Sequence, residues 1–136
     1  MNDTGIYIHV PFCARKCGYC DFYSGKYSRE TSDGYVQAVI RNLKSFSAEE
    51  LSVSTMYFGG GTPSLLSSQQ LKLIMDEVRR SFHLLPDAEV TLEANPSTVN
   101  SEKLDSMLSA GITRLSLGVQ SMNDDELRFL GRNHTP

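Results

Sequence analysis

Tyr7-Ile8-His9-Val10-Pro11-Phe12-Cys13-Ala14-Arg15-Lys16-Cys17-Gly18-Tyr19-Cys20 joins two signals: a run of period-two apolar alternation and, directly after it, a loop holding every cysteine of the 136-residue chain. Ile6 to Val10 reads as a strand, and Pro11 ends its ladder by removing a backbone donor. The cysteines therefore sit on a loop at the C-terminal end of a strand. Three thiolates at spacings of four and three residues can converge on one small inorganic centre. They are soft ligands that suit zinc, copper(I) or an iron–sulfur cluster, and a cluster normally takes four of them. With only three, a four-iron cluster keeps one iron open, and open positions mark reactive rather than structural centres. A zinc site completed by His9, and three thiols that bind no metal, are the alternative readings.

Outward from the loop, strand and helix signals alternate. Between Ser32 and Ser45, Tyr35, Val36, Val39, Ile40 and Leu43 share one helical face. Thr55 to Phe58 is a β-prone run that breaks at Gly59-Gly60-Gly61-Thr62-Pro63-Ser64. Ser67 or Ser68 then caps a helix whose stripe is Leu71, Ile74, Val78 and Phe82. Glu89 to Glu93 is a third strand. Asn100 is placed to cap a helix through Leu104, Met107 and Leu108, with Gly111 as its C′ residue. Arg114 to Gln120 is a fourth strand, and Asp124 to Leu130 begins a fourth helix.

Four βα units in series predict an α/β fold with a parallel sheet and right-handed crossovers, either an open doubly wound sheet or part of a (β/α) barrel. The strand faces decide between them. One side presents Ile6, Ile8, Val10, Val90, Leu92, Leu115, Leu117 and Val119; the other presents Tyr7, His9, Thr91, Glu93, Asn95, Ser116, Gly118 and Gln120. A closed barrel of eight strands fills its interior with branched apolar side chains, and a strand buried on both faces reads as a continuous apolar run. A polar or small inner face instead predicts a wider, incomplete barrel whose interior is wet or filled by a ligand.

Thirteen basic and sixteen acidic residues give a net charge of −3, which offers no broad electrostatic basis for binding nucleic acid or an anionic membrane. No apolar run approaches the ~20 residues of a membrane span. Met1-Asn2-Asp3-Thr4-Gly5 lacks the basic and apolar regions of a secretory leader. An odd set of clustered cysteines fits a disulfide framework poorly, so a reducing cytoplasmic location is expected.

Tyr7, Pro11 and Phe12 before the cysteines, and Tyr19 and Asp21 among and after them, make the loop resemble that of radical S-adenosylmethionine (SAM) enzymes. Within that superfamily it is most similar to the group of oxygen-independent coproporphyrinogen III oxidases and haem chaperones. The resemblance implies a [4Fe–4S] cluster held by Cys13, Cys17 and Cys20. SAM would take the open iron through its amino and carboxylate groups, and an electron from the reduced cluster would cleave a carbon–sulfur bond to give a 5′-deoxyadenosyl radical. It also assigns SAM contacts. Gly60, Gly61 and Thr62 match the glycine motif beside the methionine portion, Glu93 and Gln120 match strand-end positions of the SAM site, and Arg132 matches an arginine near the SAM carboxylate. Tyr7 and Tyr19 match flanking contact positions. Without the resemblance, the glycines read as a turn whose missing Cβ atoms admit a ligand, Glu93 as an ion-pair partner of Arg114 or Arg132, and Arg132 as a solvated helix end.

The oxidases of the group usually carry a further cysteine two positions after the third, where this chain has Phe22. That departure favours the haem-chaperone branch, with haem as cargo, a haem-receiving target protein and an electron donor as partners. Decarboxylation of coproporphyrinogen III is the alternative, and a non-enzymatic zinc or other structural metal module is the alternative of a different class. A complete (β/α) barrel takes about 250 residues, so residues 1–136 are expected to form a partial radical SAM core domain without the C-terminal part of the barrel or any further domain. On that basis the isolated chain, with an unpaired sheet edge, is expected to be poorly stable and inactive. A cooperative thermal transition in a soluble monomer would contradict this.

Overall fold

The computed structural model describes residues 3–136; Met1 and Asn2, on which the reading of the N-terminus begins, lie outside the described residues. β1 (Asp3–Val10) leads into a two-residue strand, β2 (Phe12–Cys13), and the cysteine loop then returns through β3 (Gly25–Lys26). α1 (Arg29–Ser45), β4 (Ala48–Gly60), α2 (Ser68–Ser81), β5 (Phe82–Ala94), α3 (Ser101–Ala110), β6 (Arg114–Leu117) and α4 (Asp124–Phe129) follow. Ser28 caps α1, its hydroxyl oxygen accepting from the Thr31 N–H. Ser67 rather than Ser68 caps α2, in a reciprocal pair with Gln70. Asn100 accepts from the Lys103 N–H at the start of α3, and Gly111 ends that helix at φ 104°.

The four long strands form one parallel sheet in the order β1-β4-β5-β6. Each strand therefore lies next to its successor, as in a barrel. α1 packs beside α2 and α2 beside α3, all against one hydrophobic cluster. An open doubly wound sheet would distribute its helices over both faces, so the barrel alternative is the observed one. Ile8, Phe58 and Leu92 face each other across three strands and are buried against the helices. Phe58→Ala should cost about 3–5 kcal/mol by opening a cavity there, read as a lowered denaturation midpoint with an unchanged slope.

The opposite row departs from a barrel core. Tyr7, Tyr57 and Thr91 are in register, and Tyr7 is 59% exposed on the open side. The sequence is less accurate at the edge. β6 ends at Leu117 rather than Gln120: the Gly118 N–H still reaches the Ala94 carbonyl of β5, but the Val119 N–H turns back to the Leu117 carbonyl. Leu117, expected on the helix-packed face, is 50% exposed and lines the cavity at the strand ends. β5 starts at Phe82, seven residues earlier than the alternation from Glu89 implies.

Candidate functional site at the C-terminal strand ends

The cysteine loop is fixed at both ends. β2 pairs with β3, the Gly25 N–H donates to the Pro11 carbonyl at 2.8 Å, and the Tyr27 N–H to the Cys13 carbonyl at 3.2 Å. From the other side, the Gly61 N–H donates to the Val10 carbonyl at 2.8 Å and the Thr62 N–H to the Phe12 carbonyl at 2.6 Å. The Phe12 ring meets Tyr27 and Tyr35 edge-on. A short segment carrying Cys13 is thus held between the return of its own loop and the glycine turn after β4.

That arrangement gives the glycines a role the sequence reading did not foresee. A Cβ on Gly61 would lie 2.4 Å from the Phe12 carbonyl oxygen, and one on Gly60, at φ 112°, 2.7 Å from the His9 ring. The missing side chains admit the protein's own backbone and a histidine.

Cys13, Cys17, Cys20, Tyr19, Gly60, Gly61, Thr62, Glu93, Gln120 and Arg132 line one cavity of about 350 Å³ at the C-terminal ends of the strands. Arg15, Phe22, Ala94, Asn95, Ser116, Leu117 and Gly118 complete the lining. Tyr7 is not part of it; its ring stacks on Tyr57, 6.2 Å between centroids, one residue removed from the cavity wall. Gln120 has φ 74°, unusual for a residue with a side chain, and such strain gathers at functional positions.

Glu93 does not pair with an arginine. Its carboxylate accepts from the Tyr57 hydroxyl at 2.7 Å and the Gly60 N–H at 3.2 Å, while Arg114 pairs with Glu89 at 3.0 Å. The hydrogen bond to Glu93 is the largest influence raising the Tyr57 phenol above its ordinary pKa, so Tyr57 remains a donor at neutral pH. Tyr57 is the residue that sequence reasoning passed over, although strand alternation places it on the face of Tyr7 and Thr91. Arg132 also is not a solvated helix end. Its Nη2 donates to the Gly118 carbonyl at 2.5 Å and its Nη1 to Cys17 Sγ at 3.3 Å. Burial raises the Tyr19 pKa, opposed by the charge of Arg132.

His9 is already engaged. Its Nδ1 faces the Tyr7 hydroxyl at 3.1 Å and its Nε2 the Tyr23 carbonyl at 3.0 Å, so it is not free to complete a zinc site. Among the described residues, no three His, Cys, Asp or Glu side chains form a group suited to a single ion. Three soft sulfurs spread around one cavity instead suit a cluster in which each cysteine binds a different iron. The residues present fit that group.

Residues 7–136 match the profile of the Radical SAM superfamily. The chain belongs to the radical SAM superfamily. Family membership implies a [4Fe–4S] cluster and SAM. The chain is 43% identical to the "Heme chaperone HemW" of Escherichia coli K12 over 139 residues, covering 100% of this chain and 37% of that protein. It is 39% identical to the bovine "Radical S-adenosyl methionine domain-containing protein 1, mitochondrial", covering 97% of this chain and 30% of the relative. Among solved structures, the coproporphyrinogen III oxidase (HemN) of Escherichia coli superposes with a TM-score of 0.89 at 29% identity, over 96% of this chain and 31% of the oxidase. The chain thus spans about a third of the length of these relatives. The radical SAM fold here is part of a TIM-like barrel, as the polar and apolar faces of the strands predict. No helix among the described residues is long and apolar enough to cross a membrane.

Proposed function

We propose that this radical SAM protein is a haem chaperone of the coproporphyrinogen oxidase-like group, which binds haem and transfers it to a target protein. The observation that carries the radical SAM part is the single cavity in which Cys13, Cys17 and Cys20 meet Gly60, Thr62, Glu93, Gln120 and Arg132. The chaperone reading is supported by the 43% identity to a haem chaperone and by Phe22 at the cavity wall, where the oxidases usually carry a cysteine.

Cys13, Cys17 and Cys20 would hold the cluster. When bound, the cluster supplies the electron that cleaves SAM, delivered by an external donor. Gly60 and Gly61 let the turn after β4 close on β2, so that Thr62 and Cys13 face the same space. Glu93, with its orientation fixed by Tyr57 and Gly60, offers a carboxylate to the cationic part of SAM. Arg132 and Gln120 bound the far side, and Tyr19 covers the mouth with a half-exposed ring. Tyr7 acts at one remove, by stacking on Tyr57. The location is cytoplasmic.

The test, made on the full-length protein that contains these residues, is reduction of the reconstituted form with SAM, beside haem titration and an anaerobic coproporphyrinogen assay. The expected result is 5′-deoxyadenosine and methionine with stoichiometric haem binding. Alanine at any one of the three cysteines should abolish both the cluster absorption and SAM cleavage. The fold similarity to the oxidase favours a second reading, decarboxylation of coproporphyrinogen III. A vinyl-bearing porphyrin product with no haem binding would establish it, and a colourless protein with stoichiometric zinc would overturn both.

A further inference from the structure

Arg132 is delivered to the cavity by a specific turn. α4 ends at Phe129, Gly131 takes φ 70°, and the Arg132 N–H returns to the Leu127 carbonyl at 2.8 Å. The guanidinium is then tethered through Nη2 to the Gly118 carbonyl at 2.5 Å, which aims Nη1 at Cys17 Sγ, 3.3 Å away. Nε is buried with no hydrogen-bond partner. Among the described residues no carboxylate pairs with this cation. Its charge is therefore directed at a sulfur.

We infer that Arg132 donates a charge-assisted N–H···S hydrogen bond to the Cys17 ligand and so sets the reduction potential of the cluster. The inference rests on the cluster assignment made above but concerns a different property from SAM binding. Hydrogen bonds to the ligand sulfurs and nearby charge are among the factors that fix a cluster's potential. Reduction moves one electron from an external low-potential donor onto the cluster, with no bond made or broken at Arg132. The added negative charge strengthens the interaction with the guanidinium, so the reduced form is favoured and the potential rises. Thr62 makes a weaker version of the same contact, its Oγ1 donating to Cys13 Sγ at 3.6 Å. A fixed donor on one ligand makes the centre easier to reduce before SAM arrives.

The experiment is a mediated redox titration of the anaerobically reconstituted protein without SAM, read by the electron paramagnetic resonance (EPR) signal of the reduced cluster. Leaving SAM out means that a role in SAM binding alone does not move the readout. At the wild-type midpoint, Arg132→Gln should lower the reduced-to-oxidised ratio about tenfold, a shift of ~59 mV for a one-electron couple. Arg132→Lys keeps the charge but loses the tether and should fall between, and Thr62→Val should shift less. A cluster-loaded Arg132→Gln that titrates at the wild-type midpoint overturns the inference. Should that variant fail to hold a cluster, hyperfine spectroscopy decides, using otherwise wild-type protein with isotopically labelled guanidinium nitrogens in an Arg15→Gln background. A nitrogen coupling to the reduced cluster is expected, and its absence overturns the inference. Wild-type protein that takes up no iron–sulfur cluster overturns the assignment beneath it, an outcome visible before any titration begins.

Discussion

Replacing Gly61 with alanine is expected to strip the cluster from the cysteine loop while the sheet stays folded. A Cβ at that position would lie 2.4 Å from the Phe12 carbonyl oxygen, 2.9 Å from its carbonyl carbon and 3.0 Å from its nitrogen. All three are backbone atoms. They cannot swing aside as the end of a flexible side chain can, and β2 is pinned on its other flank by β3. The substitution must therefore separate the glycine turn from β2, breaking the Gly61 and Thr62 bonds to the Val10 and Phe12 carbonyls and moving Cys13. Overpacking of this kind costs about 1–3 kcal/mol. That cost falls on a loop rather than on the buried row of Ile8, Phe58 and Leu92, so the sheet survives. Iron and sulfide per chain after anaerobic reconstitution should fall several-fold with an unchanged far-ultraviolet circular dichroism spectrum. Full cluster content would show that the turn does not position the ligand.

Glu93→Gln should weaken SAM binding about 10- to 100-fold and leave cluster loading unchanged. Hydrogen bonds to charged groups are worth about 1.5–3 kcal/mol, and no arginine pairs with this carboxylate. Its two bonds, from the Tyr57 hydroxyl and the Gly60 N–H, orient the group. They leave it able to accept from a cation in the cavity. Glutamine retains the shape and removes the charge, so loss of affinity would measure electrostatics rather than packing. Tyr57→Phe should have a smaller effect in the same direction. Calorimetric titration of the reconstituted protein with SAM checks both, and wild-type affinity in Glu93→Gln would remove Glu93 from the site.

The sequence was most legible where one physical rule dominated. Period-two alternation located the centres of the long strands, and the caps at Asn100 and Gly111 appeared where side-chain acceptors and left-handed geometry require them. The polar inner row, with Tyr7, Thr91 and Glu93, separated a partial barrel from an open doubly wound sheet, because only one face needed to be apolar. Strand limits were harder. β5 runs through Pro86 and Asp87 as an irregularity, its pairing with β4 stepping from Leu84 to Glu89, which the alternation starting at Glu89 does not reveal. β2 and β3 are two residues long, too short for any periodicity, and they are what fixes the cysteine loop. The backbone bonds from Gly61 to the end of β1 and from Thr62 to β2 join positions about fifty residues apart, which no local pattern encodes. The same holds for Arg132, whose contact with Cys17 spans 115 residues. The alternative reading of Glu93 as an ion-pair partner fails because Glu89, four residues away on the same strand, captures Arg114 instead.

Reconstitution with iron and sulfide under anaerobic conditions, followed by dithionite reduction and EPR with and without SAM, tests the central claim most directly. The expected result is a brown protein whose visible absorption bleaches on reduction, with a reduced-cluster EPR signal that changes when SAM is added. A colourless protein retaining one zinc per chain, or a cluster signal indifferent to SAM, would contradict it.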